Sequence, residues 1–134
     1  MKLLLLSMVM MSTVLGSTDY VKVEVRPGTL DAENGSAVSF TLRLWASEGI
    51  HVNAEPTLTV KSTTGGAELS IAEIHKSGDY LDLGKPIKIT CEVDGLSPGQ
   101  QRVNFVLSYT YCSDKEGWCR MGKDSSSIEI HVKK

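Results

Sequence analysis

The sequence predicts an all-β fold, an antiparallel β-sandwich of seven or eight short strands. Two observations carry that prediction. Apolar residues recur with a period of two along most of the chain beyond its first twenty positions, and glycine- or proline-bearing turns separate the runs. No window of about ten residues or more shows apolar side chains at helical spacing.

The elements follow in order. Tyr20 to Arg26 sets Val21, Val23 and Val25 against Lys22 and Glu24. Val38, Phe40, Leu42 and Leu44 alternate with Ser39, Thr41 and Arg43. Shorter strands are expected near Thr57 to Lys61 and Glu68 to Glu73. Ile87, Ile89, Cys91 and Val93 alternate with Lys88, Thr90 and Glu92. Val103, Phe105, Leu107, Tyr109 and Tyr111 form a longer run, and Ile128, Ile130 and Val132 close the chain. Successive strand residues point to opposite faces, so each run turns one face to a core and the other to water. Pro27-Gly28, Asn34-Gly35, Gly65-Gly66, Ser77-Gly78-Asp79, Gly84-Lys85-Pro86 and Ser97-Pro98-Gly99 supply the connections.

Residues 1–16 read as a secretory signal peptide. Lys2 is followed by the apolar run Leu3 to Leu15, then by Gly16, Ser17 and Thr18, small residues suited to a signal peptidase. A cut after position 16, 17 or 18 leaves one domain over 19–134. The run is shorter than the roughly 20 residues of a membrane span, and no second one follows. The mature chain is therefore expected outside the cytoplasm, periplasmic or secreted, and not spanning the membrane. A formal net charge of −2, with no basic stripe, argues against a nucleic-acid partner.

Three cysteines are present. Cys112 and Cys119 are the natural pair in an oxidising compartment. A hairpin through Gly117 could bring their Cα atoms within the roughly 4.4–6.8 Å of a disulfide. Such a bond is either a staple, adding about 2–3 kcal/mol by chain entropy, or an exposed and reducible pair at a hairpin tip. Tyr109, Tyr111 and Trp118 bracket it. Cys91 shares the apolar face of Ile87, Ile89 and Val93 and is expected buried and unpaired, as a small hydrophobe. Zinc is disfavoured, because His51, His75 and His131 stand at no short spacing from a cysteine. No cofactor is implied.

The segment Tyr109 to Cys119, with Cys112 and Gly117-Trp118-Cys119, resembles the cysteine hairpin of the N-terminal domain family of the thiol:disulfide interchange protein DsbD. Gly49-Ile50-His51-Val52-Asn53 is similar to that family's Gly-x-His-x-Asn stretch, and strand order matches from about Tyr20 to Val132. Arg120-Met121 stands where the family often has Pro-Pro. The resemblance implies an immunoglobulin-like antiparallel β-sandwich of about seven to nine strands. It further implies a relay of reducing equivalents, from a thioredoxin-like protein or a membrane electron transporter to oxidised extracytoplasmic proteins. Cys119 would bond to partners and Cys112 would resolve. Tyr80, in Lys76 to Tyr80, matches best the aromatic cap over the pair. His51 is expected as a loop or strand residue, not a catalyst. The alternative is a secreted immunoglobulin-like binding module with a structural disulfide and an aromatic contact patch.

Overall fold

A computed structural model describes residues 20–33 and 35–133. The expected signal peptide and its cleavage site lie outside the described residues. Eleven strands follow in chain order: β1 (Val21–Arg26), β2 (Thr29–Glu33), β3 (Ala37–Ala46), β4 (Ile50–Val52), β5 (Thr59–Ser62), β6 (Glu68–Glu73), β7 (Lys76–Ser77), β8 (Tyr80–Leu81), β9 (Ile87–Glu92), β10 (Gly99–Ser113) and β11 (Trp118–Lys133). Among the described residues no helix forms.

One sheet has the order β1-β3-β9-β6, and the other β2-β11-β10-β4 with β5 also on β10. All pairings are antiparallel except β2, which runs parallel to the end of β11. β7 and β8 form a small hairpin of their own. The two sheets stack as a sandwich because each strand pattern has one apolar face. Phe40, Leu42 and Leu44 from β3 and Ile87, Ile89 and Cys91 from β9 meet Val103, Phe105, Leu107, Tyr109 and Tyr111 from β10, all buried. Phe40 and Phe105 bridge the sheets with ring centroids 5.6 Å apart. Each fully buried large side chain contributes about 1.5–3 kcal/mol. Cys91 is fully buried and unpaired, as its strand pattern requires. Burial, and secondarily the charge of Glu92, pushes its thiol up to about 11.

β10 and β11 are the longest strands and pair along their whole length, from Gly99 opposite Val132 to Ser113 opposite Trp118. β4 and β5 share the other edge of β10, β4 at Tyr111 to Ser113 and β5 at Phe105 to Ser108. This arrangement sets the end of the β10–β11 hairpin beside β4 and the β7–β8 hairpin.

Candidate functional site

Cys112 and Cys119 are directly opposed across β10 and β11 and are bonded. Their Cα atoms lie 4.0 Å apart, just below the roughly 4.4–6.8 Å expected of a disulfide. The turn is shorter than the six intervening residues suggested. Ser113 and Trp118 belong to the strands, so only Asp114 to Gly117 form the tip. Gly117, with φ of +74°, donates its N–H to the Ser113 carbonyl at 2.8 Å. The Ser113 hydroxyl accepts from the Glu116 N–H at 3.1 Å.

Strand alternation decides which face carries the pair. Tyr109, Tyr111 and Ser113 turn into the core, so Cys112 faces outward. Trp118 packs against the core, so Cys119 also faces outward and is exposed, while Cys112 is half-buried. The same rule separates Tyr109, Tyr111 and Trp118 from the disulfide. They pack on the inner side, Tyr111 edge to face with Trp118 at 5.8 Å and tilted against Tyr109 at 5.9 Å, with Tyr20 edge to face with Trp118 at 5.2 Å. They are neighbours in sequence but do not cover the pair. Arg120 lays its guanidinium 4.0 Å from the Trp118 ring centre.

What stands beside the disulfide comes from distant segments. His51 of β4 is the cross-strand partner of Cys112, so Cys119, Cys112 and His51 lie in one row across three strands. The His51 Nε2 lies 2.7 Å from Asp114 Oδ2. Tyr80 stacks on the His51 ring at 4.2 Å and donates its hydroxyl to Asp114 Oδ1 at 3.3 Å. The Asp114 charge, with burial next, raises the Tyr80 phenol above its ordinary value. Asn53 donates its backbone N–H to the Thr110 carbonyl at 2.8 Å, and its side-chain Oδ1 lies 3.3 Å from Cys112 Sγ. The β7–β8 hairpin is joined to this edge by an Asn53–Tyr80 bridge and by the Ala54 N–H to the Asp79 carbonyl at 2.9 Å. Together Asn53, Glu55, Lys76, Tyr80 and Cys112 line a cavity of about 350 Å³.

Access to the two sulfurs differs. The far side of Cys112 is bordered by β4, and Tyr80 lines the same cavity as Cys112. Among the described residues no strand follows beyond Cys119, because β2 pairs with β11 only at Glu129 to Lys133. A thiolate reaching Cys119 meets an open edge. Among the described residues no group of three His, Cys, Asp or Glu side chains is placed to hold a metal ion.

The sequence alone puts His51 in no contact with the cysteines and gives Asn53 no role, although the Gly-x-His-x-Asn pattern holds both. It gives no sign of Asp124, a buried carboxyl on the core side of β11. Tyr109 donates to its Oδ2 at 2.8 Å, its Oδ1 has no partner, and burial raises its pKa.

No family model matches the chain, and no curated protein matches it. Solved structures do. Murine CRIg matches with a TM-score of 0.50 at 10% identity, over 86% of this chain and 99% of that one. Domains 4 and 5 of the S-layer protein SbsC match with a TM-score of 0.48 at 14% identity, over 84% of this chain but only 45% of that one. AggA, the major subunit of an Escherichia coli aggregative adherence fimbria, matches with a TM-score of 0.42 at 17% identity, over 90% and 99%. None of these three is a DsbD domain. The chain is an immunoglobulin-like β-sandwich carrying one cross-strand disulfide. No helix among the described residues is long and apolar enough to cross a membrane.

Proposed function

We propose that this chain is an extracytoplasmic thiol–disulfide exchange domain, passing reducing equivalents from a thioredoxin-like or membrane-borne donor to oxidised proteins through Cys112 and Cys119. The observation that carries this reading is the unequal access to the pair, with Cys119 exposed at an open edge and Cys112 half-buried against β4. The resemblance to the DsbD N-terminal domain family supports it. A donor thiolate attacks Cys119 Sγ, forming a mixed disulfide, and Cys112 leaves with the electron pair and takes a proton from water. The donor's second thiol then displaces Cys119, so the donor ends as a disulfide and the pair as two thiols. Running the steps in reverse against an oxidised protein passes the electrons on.

A second reading is a binding module of immunoglobulin-like fold whose disulfide holds the hairpin. The fold shared with CRIg is compatible with it, and exposed Trp45 and Met121 offer apolar contact area. A redox titration of the pair separates the two. Exchange requires a potential in the range of other exchange proteins, roughly −120 to −270 mV, whereas a staple falls below about −300 mV. A value below that limit leaves the binding module.

A further inference from the structure

The polar surroundings of the disulfide are gathered on one sulfur. Asn53 is held in place from three sides: its N–H on Thr110, its bridge to Tyr80, and the Ala54–Asp79 bond that follows it. Its Oδ1 lies 3.3 Å from Cys112 Sγ. In the disulfide that sulfur carries no hydrogen, so the contact is not a hydrogen bond. Reduction supplies the missing hydrogen, and the Cys112 thiol can then donate to the Asn53 oxygen at the same distance. A neutral acceptor favours the thiol over the thiolate. Cys119, exposed on the neighbouring strand, lacks this neighbour: Asn53 lies on the β4 side of β10, across from β11.

We propose that Asn53 is a positioning residue that holds Cys112 as the slow, resolving thiol of the pair. The proposal rests on the exchange reading above. Once a mixed disulfide has formed at Cys119, Cys112 must lose its proton to solvent before its thiolate can attack Cys119 Sγ and expel the partner as a thiolate. The amide bond opposes that deprotonation, so the mixed disulfide persists long enough for the partner's own second thiol, or a third protein, to act. Other titratable groups face Cys112 as well: His51 on β4, Asp114 at the tip, Glu55 after β4, and Lys76, Asp79 and Tyr80 on the β7–β8 hairpin. The test therefore changes Asn53 alone and compares the two cysteines within one protein.

Chemically reduced protein is alkylated across a pH series, and the rate at each cysteine is read by mass spectrometry. Asn53→Ala removes the acceptor, and the thiolate fraction of Cys112 at fixed pH should rise about 3- to 10-fold, equivalent to half to one pKa unit. Asn53→Asp keeps the shape but adds a negative charge, and that fraction should fall by a similar factor. Cys119 should change less than about 2-fold in either variant. The lifetime of a mixed disulfide formed at Cys119 should shorten in Asn53→Ala and lengthen in Asn53→Asp. If Cys112 titrates alike in all three proteins, or Cys119 moves as far as Cys112, the proposal is overturned. Asn53→Asp carries the test alone if the alanine variant does not fold. The alkylation needs no partner, so a protein that titrates as described yet accepts no electrons from thioredoxin-like donors would refute the exchange reading and leave the Asn53 contact standing.

Discussion

Cys112 and His51 face each other across β10 and β4, and the His51 ring, stacked on Tyr80 and bound to Asp114, ties the β7–β8 hairpin to the disulfide site. Tyr80 is held there by stacking on His51 and by its hydroxyl on Asp114 at 3.3 Å, and His51 is in turn held by Asp114 at 2.7 Å. Exposed pairs of this kind hold their partners only weakly.

Replacing His51 with Ala should therefore loosen the hairpin without unfolding the sandwich. Amide exchange over residues 76–81 should quicken, and the Cys112–Cys119 bond should be reduced by a small thiol about 2- to 5-fold faster, the equivalent of a contact worth under one tenfold step. Unchanged exchange at the hairpin would mean that its backbone bonds to Asn53 and Ala54 suffice to hold it.

Asp124 makes the stability pH-dependent in a direction opposite to that of a salt-bridged carboxylate. Burial raises its folded pKa above the ordinary value of 3.8, so the folded state holds the proton more tightly than the unfolded chain. The contribution is fully present below the ordinary value and is lost as pH rises through the raised one. Asp124→Asn keeps an acceptor for Tyr109 and never ionises. Its stability relative to the parent should be greatest near neutrality and should shrink on acidification toward pH 4. Urea titrations of both proteins at several pH values measure this. A constant difference would show that Asp124 does not titrate within the window.

Much of this fold was legible because alternation is a local signal. Val103 to Tyr111 reads as a strand with one buried face, and β10 buries those residues. The first half of β11 was not legible. Lys123-Asp124-Ser125-Ser126-Ser127 has no apolar alternation, yet it pairs with Asn104 to Ser108 because β10 already fixes the register on both sides of it. β2 and β4 escaped for a similar reason, being three to five residues long and ordered by their partners. At the site, the cysteine pairing followed from spacing and compartment. The placement of His51, Asn53 and Asp114 did not, since it depends on which distant strand borders β10. Alternation also carries the reason why Tyr111 and Trp118, each beside a cysteine in sequence, lie on the other face of the sheet.

Gly122 tests how tightly that inner face is packed. A Cβ built at this position would lie 2.6 Å from Cε2 of Tyr109, its direct cross-strand partner, whose ring occupies the space above the glycine. Gly122→Ala should cost about 1–3 kcal/mol, as overpacking of a filled core does. It should also disturb the Tyr109–Asp124 hydrogen bond. Chemical denaturation gives the stability, and the midpoint should fall with little change in slope. A midpoint equal to that of the parent would mean that the Tyr109 ring can move aside freely.

The roles of the two sulfurs can be separated by trapping. Exchange requires an approach to one sulfur along the line of the S–S bond, and the open edge lies beyond Cys119. Cys112→Ala leaves Cys119 able to form a bond with a partner cysteine but removes the thiol that would break it. Mixed with an oxidised thioredoxin-like protein that lacks its own resolving cysteine and is activated as a mixed disulfide, this variant should accumulate a covalent complex, visible by non-reducing electrophoresis and lost on adding a reductant. Cys119→Ala leaves Cys112 half-buried behind Asn53, His51 and Tyr80, and should form the complex at least about tenfold more slowly. Loosening the hairpin with His51→Ala in the Cys119→Ala background should recover part of that rate, because Cys112 is then less covered. Equal trapping by both cysteine variants would show that the unequal exposure of the sulfurs does not govern attack. Absence of trapping in either, with the sandwich folded and the thiols free, would leave Cys112–Cys119 as a bond that holds the β10–β11 hairpin.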